Sequence, residues 1–410
     1  MRTVAERYGY VEYGGPLIEE SALYRAKTGE EIANEETYTF TDRGGRDVTL
    51  RPEMTPTIAR MIAAKQKELA FPLRLYSIPN LFRYERPQRG RVREHWQLNV
   101  DVFGIASVEA DAEIIAVAVS IMEEFGAQSD QFQVRVNNRK FLHALLHEYF
   151  KFSPEQAHSV SKLIDKKLKM DAQEFSDRIK EIIEEKADEF IGVLGARDIE
   201  SLPVEVRNTD GIKEIAEVRA LLEQKKIENT VFDPTLVRGF DYYTGTVFEI
   251  FDTDTANQRS LFGGGRYDDL LDIFGSEKVP AVGFGMGDVT IHDFLKTHVL
   301  LPAAYSPTTH LYLCRFSSEY AQFTEEFAKY LREKGINVAI DLSNRKIGAQ
   351  VKTAHRQGIR FVICIGTDEI KSQLFRVKDL VAHKETEPIS QERVVGFIKE
   401  NFGSIQPEKH

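Results

Sequence analysis

The segment LPAAYSPTTH, residues 301–310, separates two stretches of chain with different rhythms, and those rhythms limit what each can fold into. Pro302 and Pro307 interrupt any periodicity there. After the break, apolar runs alternate with amphipathic ones. HLYLCRF (310–316), INVAIDLS and RFVICIG (360–366) read as buried strands, and FRVKDLVAHK as a further strand. SSEYAQFTEEFAKYLREKG, KIGAQVKTAHRQG and SQERVVGFIKENFG read as helices. Strands separated by helices of this length predict βαβ units and a mostly parallel sheet, an α/β domain over residues 306–410.

Residues 1–305 have another pattern. YTFTDRGGRDVTLRP (38–52) predicts a hairpin turning at Gly44-Gly45. LRLYSIPNLFRYE (73–85) and HWQLNVDVFG (95–104) predict two strands joined by the loop RPQRGRVRE, with a helix following at VEADAEIIAVAVSIMEEFG. Strands joined by loops without intervening helices imply an antiparallel sheet, so this part reads as an α+β domain. Residues of about 150–205 are charged and helical, opening on the capping box Ser153-Pro154-Glu155-Gln156, and read as a helical insertion.

Composition excludes several classes. With only Cys314 and Cys364, the chain of 410 residues is neither a disulfide scaffold nor a multi-cysteine zinc module. Both cysteines fall in apolar strands, where a thiol acts as a small buried hydrophobe. The N-terminus has no apolar leader, and no run approaches the ~18 apolar residues of a membrane span, so a soluble, cytoplasmic protein without membrane contact is expected. The net charge of −10 argues, taken alone, against a polyanionic partner.

Four segments carry chemistry. Arg83, Arg86, Arg89, Arg91 and Arg93 crowd into eleven residues opposed only by Glu85. Such guanidinium forks on a hairpin suit phosphates, although a solvated basic loop is the bland use of them. In LVRGFDYYTGTVFEIF, Arg238, Asp241, Tyr242 and Tyr243 make good pocket lining, or an ordinary turn with a half-buried tyrosine. Gly263-Gly264-Gly265 and Gly283, Gly285, Gly287 punctuate strand-like text, which suits the close approach of a ligand or another backbone. Asp288 is expected to cap the following helix. In RPEMTP, Glu53 and Thr55 at i and i+2 of a strand end share one face and could grip one polar ligand, or Glu53 could be an ordinary rim residue.

In this order the segments resemble the histidyl-tRNA synthetases, a family of class II aminoacyl-tRNA synthetases. YGYVEYGGPLIEESALY with Pro16 is similar to the first class II motif, the dimer-forming element. FRYERPQRGRVREHWQLNVDVFG resembles the second motif, LVRGFDYYTGTVFE the histidine-specific signature and VGFGMGD the third motif. The C-terminal α/β unit resembles the anticodon-binding domain of several class II enzymes. The resemblance implies a class II catalytic domain that activates histidine with ATP and Mg2+ and transfers it to histidine tRNA, in a homodimer. It implies Arg83 and Arg238 as catalytic cations on the α-phosphate. Glu85, Arg91, His95 and Arg266 would join Arg83 on ATP. Glu53, Thr55, Gln97, Asp101, Tyr242 and Tyr243 would surround histidine, and Gln88 and Arg89 would reach the tRNA acceptor end.

The sequence departs from the family in places. Asp101 stands where Glu is usual, and His95 where Phe often stacks on adenine. Asp288-Val289-Thr290 replaces a Glu-Arg pair whose arginine takes the ATP γ-phosphate, which leaves Arg266 or Arg91 to supply that contact. One alternative is the synthetase-like regulatory subunit of ATP phosphoribosyltransferase, a binding protein without an anticodon-binding domain. Another is an inactive tRNA-sensing domain. Resolved along the chain, the charge no longer disfavours RNA. Residues 309–410 hold sixteen Lys and Arg against thirteen Asp and Glu, and residues 74–93 six arginines against one glutamate.

Overall fold

The computed structural model describes residues 1–25, 36–85, 91–167, 170–237, 242–301, 307–343 and 345–402. The chain divides into two compact units, Met1–Leu301 and Pro302–His410.

The larger unit is built on a nine-stranded mixed sheet. Its longest strand is β7 (Glu94–Phe103), and alternation explains its place: Leu98, Val100 and Val102 face the core, while His95, Gln97, Asn99 and Asp101 face the other way. Along one edge β7 pairs first with β6 (Asn80–Phe82) and then with β5 (Leu73–Ser77). The expected single strand over 73–85 is thus two. Pro79 has no N–H to give a ladder, and its carbonyl instead accepts the Gln97 N–H at 3.0 Å. On the other edge the order continues through β12 (Ala281–Gly287), β11 (Ser260–Arg266), β10 (Thr246–Asp252) and β8 (Phe132–Asn138), all antiparallel. Among the described residues, parallel pairs of this sheet occur only at the two ends of this order. There β1 (Val11–Glu12) lies beside β5, and β9 (Thr230–Phe232) beside β8.

The apolar face of the sheet is covered by α1 (Val108–Glu124), whose Ile114, Ile115, Ile121 and Met122 are fully buried. The hairpin over 38–52 forms as expected from β3 (Tyr38–Thr41) and β4 (Asp47–Leu50), joined by β2 (Ile18–Glu20) in a separate small sheet. The expected helical stretch runs further than residue 205. It comprises α2 (Pro154–Lys166), α3 (Ala172–Ile183), α4 (Ala187–Leu194) and, beyond a segment that includes the short helix Val204–Arg207, α5 (Asp210–Gln224). Its Ser153 hydroxyl accepts the Gln156 N–H and the Gln156 side chain accepts the Ser153 N–H, the reciprocal cap read from sequence. Phe150, Phe152, Phe175 and Phe190 give it a core of its own. Helix α5 joins the two cores, Ile212 and Ile215 on the helical side and Val218 and Leu222 against the sheet side.

The C-terminal unit has parallel strands β13 (Leu311–Arg315), β14 (Val338–Ile340) and β15 (Phe361–Ile365), with Lys378–Asp379 antiparallel to β15. Helices α6 (Ala321–Glu333), α7 (Ile347–Arg356) and α8 (Gln391–Phe402) complete the α/β pattern. Cys314 and Cys364 pair across β13 and β15 as free thiols, Cys314 fully buried. Among the described residues, no helix is long and apolar enough to cross a membrane.

One buried ion pair binds sheet to helix. Arg266, at the end of β11, is 4% exposed, and its Nη2 meets the Asp111 carboxylate on α1, which is fully buried. Removing one member of a buried pair leaves an uncompensated charge, so Arg266→Ala should cost about 3–5 kcal/mol of unfolding free energy in urea titrations.

Candidate active site

The site grows from the unusual face of β7. In antiparallel pairs, directly opposed residues share a face. Gln97 pairs with Gly287, Asn99 with Gly285 and Asp101 with Gly283; one strand on, Gly285 pairs with Gly263 and Gly283 with Gly265. A β-carbon at Gly285 would strike the Gln97 amide, one at Gly283 the Asp101 carboxylate, and one at Gly265 the Tyr243 ring at 2.9 Å. Glycine at these positions therefore clears a polar hollow in the middle of the sheet. The glycines' expected use in a close approach is met by neighbouring side chains.

A cavity of about 120 Å³ occupies this hollow. Gln97 and Asn99 line it from β7, and Glu53, Thr55, Arg83, Tyr242, Tyr243 and Tyr267 surround it. Five residues expected around histidine thus come together, Glu53, Thr55, Gln97, Tyr242 and Tyr243, and Arg83, expected on ATP, joins them. Glu53 and Thr55 do not sit on a strand as expected, because β4 ends at Leu50 and Thr55 opens the helix Thr55–Lys65. They reach the same cavity through a turn held by Arg51, whose guanidinium donates to the carbonyls of Gly15 at 2.8 Å and Asn80 at 3.0 Å. Glu53 is 3% exposed and accepts the Tyr242 hydroxyl at 3.3 Å. Arg83 is aimed by its Nε bond to the Pro52 carbonyl at 3.0 Å, and its two terminal nitrogens have no partner among the described residues.

Beside them, His95 is pushed down to about 4, first by burial and then by the Arg83 charge, so at neutral pH it presents an uncharged ring. Glu85 and Arg91 meet each other in an ion pair at 3.0 Å, with Glu85 buried, and neither lines the cavity. The root of their loop is closed by the Arg83 N–H on the Arg93 carbonyl at 3.0 Å. Arg238, Gln88 and Arg89 lie outside the described residues. The approach to position 238 is anchored, however: Asn137 donates to the Leu236 carbonyl at 2.9 Å and Arg139 to that of Val237 at 3.3 Å. Among the described residues no cluster of three His, Cys, Asp or Glu side chains forms a metal site.

Three expectations need correction. Arg266 is not free for a phosphate. Its Nε meets both Asp111 oxygens at 3.1 Å, and its terminal nitrogens meet the Ile105 and Ser107 carbonyls at 3.0 Å, besides Asp268 and Asp111. Asp288 does not cap its helix. It is the first residue of the helix Asp288–Thr297, and its carboxylate accepts the Trp96 N–H at 3.2 Å. Thr290, at the place of the family arginine, spends its hydroxyl on the Leu261 carbonyl at 2.5 Å. Asp101 stands behind the cavity wall rather than in it, bonded to the Tyr267 hydroxyl at 2.5 Å. Asn99 and Tyr267 were missed from sequence. Asn99 could have been found, since period two puts it on the face of Gln97 and Asp101, whereas Tyr267 carried no signal.

Burial raises Asp101 to about 7. An acid raised in the folded state costs stability as it ionises, so this contribution is whole below about pH 4 and lost as pH rises through 7. Asp101→Asn keeps an oxygen for Tyr267 and removes the charge. It should raise the thermal midpoint at pH 8, with the difference from wild type closing at pH 4–5.

Two family models match the chain: one described as histidyl-tRNA synthetase over residues 1–289, the other as anticodon binding domain over residues 310–401. A histidine–tRNA ligase of Leptospira biflexa serovar Patoc is 44% identical over 397 residues, covering 94% of this chain and 89% of the relative. The crystal structure of histidyl-tRNA synthetase from Nostoc sp. PCC 7120 shares the fold, with a TM-score of 0.83 at 24% identity over 97% of this chain and 93% of that one. A Bacillus halodurans C structure described as an ATP phosphoribosyltransferase regulatory subunit/histidyl-tRNA synthetase gives a TM-score of 0.71 at 25% identity, covering 89% of this chain and 92% of that one. The chain, matched over its catalytic and anticodon-binding parts alike, belongs to the histidyl-tRNA synthetase family.

Proposed function

We propose that the cavity behind Arg83 is where this chain, a histidine–tRNA ligase, makes histidyl-adenylate. The anticodon-binding domain over residues 310–401 favours a synthetase over the regulatory subunit of ATP phosphoribosyltransferase, which lacks that domain. The observation that carries the site assignment is the convergence of Glu53, Thr55, Gln97, Tyr242 and Tyr243 on one hollow that Arg83 also lines.

The chemistry brings two anions together. The histidine carboxylate attacks the α-phosphorus of ATP, the bond to the β-phosphate oxygen breaks, and pyrophosphate leaves. A ribose hydroxyl at the tRNA 3′ end then attacks the adenylate carbonyl and releases AMP. The first step needs cations aimed at the α-phosphate, which reduce repulsion on approach and stabilise the charge that develops in flight. Arg83 is one and Arg238 the other. Glu53 takes the substrate ammonium, with Thr55 and Gln97 beside it, while Tyr242 and Tyr243 pack around the imidazole. His95, uncharged at neutral pH, stacks on adenine without adding to the phosphate field. Glu85 and Arg91 form the nucleotide side of the motif 2 loop, and Arg91 takes the terminal phosphate that Arg266, committed to Asp111, does not reach. Magnesium arrives with ATP on its phosphate oxygens. Gln88 and Arg89 meet the tRNA acceptor end. The chain works as a homodimer through the segment around Pro16, in the cytoplasm.

Histidine-dependent ATP–pyrophosphate exchange tests the assignment. Arg83→Ala should lower the exchange rate at least ~100-fold with the fold intact by circular dichroism, in line with the loss of one preorganised charge on a transition state. Exchange within threefold of wild type would refute the role of Arg83. For tRNA, the concentrated arginines between residues 74 and 93 predict affinity that falls steeply between 50 and 200 mM salt, as filter binding would measure.

A further inference from the structure

The chain has two cysteines in 410 residues, and the C-terminal sheet sets them directly opposite each other. Cys314 on β13 and Cys364 on β15 are register partners in a parallel ladder, so both side chains leave the same face of the sheet. Neighbouring strands lie about 4.8 Å apart, inside the ~4.4–6.8 Å that separates the Cα atoms of a disulfide. Packing explains a small apolar side chain at each place, which valine or alanine would also provide. It does not explain why the two thiols meet.

The two sulfurs are not equivalent. Cys314 is fully buried and Cys364 is partly exposed, with Ile347, Val351 and Ala354 of α7 packed over this face. The thiols are within hydrogen-bonding reach of each other, and Cys314 is the donor. That bond, together with burial, pushes Cys314 up. The same bond lowers Cys364 against the opposing effect of burial, and the Lys378 ammonium lowers it further. Lys378 stands opposite Val362 on the next strand, and so on the face that carries Cys364. An accessible sulfur biased toward thiolate, beside a buried thiol, is the arrangement of an attacking and a resolving cysteine.

We propose that Cys364 and Cys314 form a reversible oxidation site for hydroperoxides, which closes to a disulfide within the C-terminal unit. The Cys364 thiolate attacks one peroxide oxygen. The O–O bond breaks, hydroxide leaves and is protonated to water, and the sulfur becomes a sulfenic acid. The Cys314 sulfur then attacks that sulfur. An S–S bond forms, the S–O bond breaks, and the hydroxyl leaves with the Cys314 proton as a second water. Two thiols are oxidised and one peroxide is reduced, and a dithiol reductant reverses the bond by exchange.

The test treats the full-length protein with hydrogen peroxide, with glutathione in a parallel tube to show that the oxidant is active. Remaining thiols are alkylated after unfolding and the peptides mapped by mass. Expected is a peptide pair joined between Cys314 and Cys364, lighter by two hydrogens, which dithiothreitol returns to two alkylatable thiols. Cys314→Ser should halt the reaction at a sulfenic acid on Cys364 that dimedone traps. Cys364→Ser should slow loss of the Cys314 thiol at least ~10-fold, because the buried sulfur then has no exposed partner to begin the reaction. Both wild-type thiols intact while glutathione is consumed would overturn the proposal. So would a sulfinic acid on Cys364 beside a free Cys314, or a disulfide found only between two chains. The wild-type map decides these outcomes even if a variant fails to fold.

Discussion

Opposed residues of an antiparallel pair lie on one face of the sheet, so Gln97, Asn99 and Asp101 must share space with whatever stands at positions 287, 285 and 283. Glycine at all three, with Gly263 and Gly265 on the next strand, leaves that space to the polar side chains and a cavity. Everything else in the site depends on this steric constraint. Glu53, Thr55 and the tyrosines only close a hollow that the bare strands have already opened. A conventional sheet would fill the same place with β-branched residues and have no pocket.

Opening the sheet removes apolar packing from its centre, and the structure compensates at the margins. The other face of β7 buries Leu98, Val100 and Val102 against α1, a helix apolar on almost every side because α5 covers what the sheet does not. Polar anchors fasten the edges: Arg266 to Asp111, and Arg51 to the carbonyls of Gly15 and Asn80. Buried guanidinium groups suit this work because five fixed donors can tie several elements at once. The same property makes Arg83 informative by contrast, since it uses one nitrogen on the Pro52 carbonyl and its terminal nitrogens have no partner among the described residues.

Much of the site could be read from the sequence because local periodicity reports the face on which a residue lies. Period two in HWQLNVDVF places His95, Gln97 and Asp101 together, and the same rule places Asn99 with them. Glu53 and Thr55 were joined for a reason that does not hold, a shared strand face, yet both reach the cavity, because a turn and a helix start can converge as well as a strand can. The errors share a different cause. Arg266 is expected on a phosphate and Asp288 at the cap of its own helix because the partners they take, Asp111 and the Trp96 N–H, are distant along the chain.

The sequence by itself therefore determined the two-part organisation, the parallel α/β character after residue 310, the polar face of β7 and the residue types that phosphate and histidine require. These are set by short-range pattern and by chemistry that side chains carry wherever they are placed. Tertiary structure alone decided which charges are available. Arg83 and Arg266 are the same residue type, but one presents its end to a cavity and the other is consumed by a buried carboxylate and backbone carbonyls. Whether an arginine lines a cavity or rivets two elements depends on what lies within about 3 Å of it, and that is fixed by contacts between residues far apart in the chain.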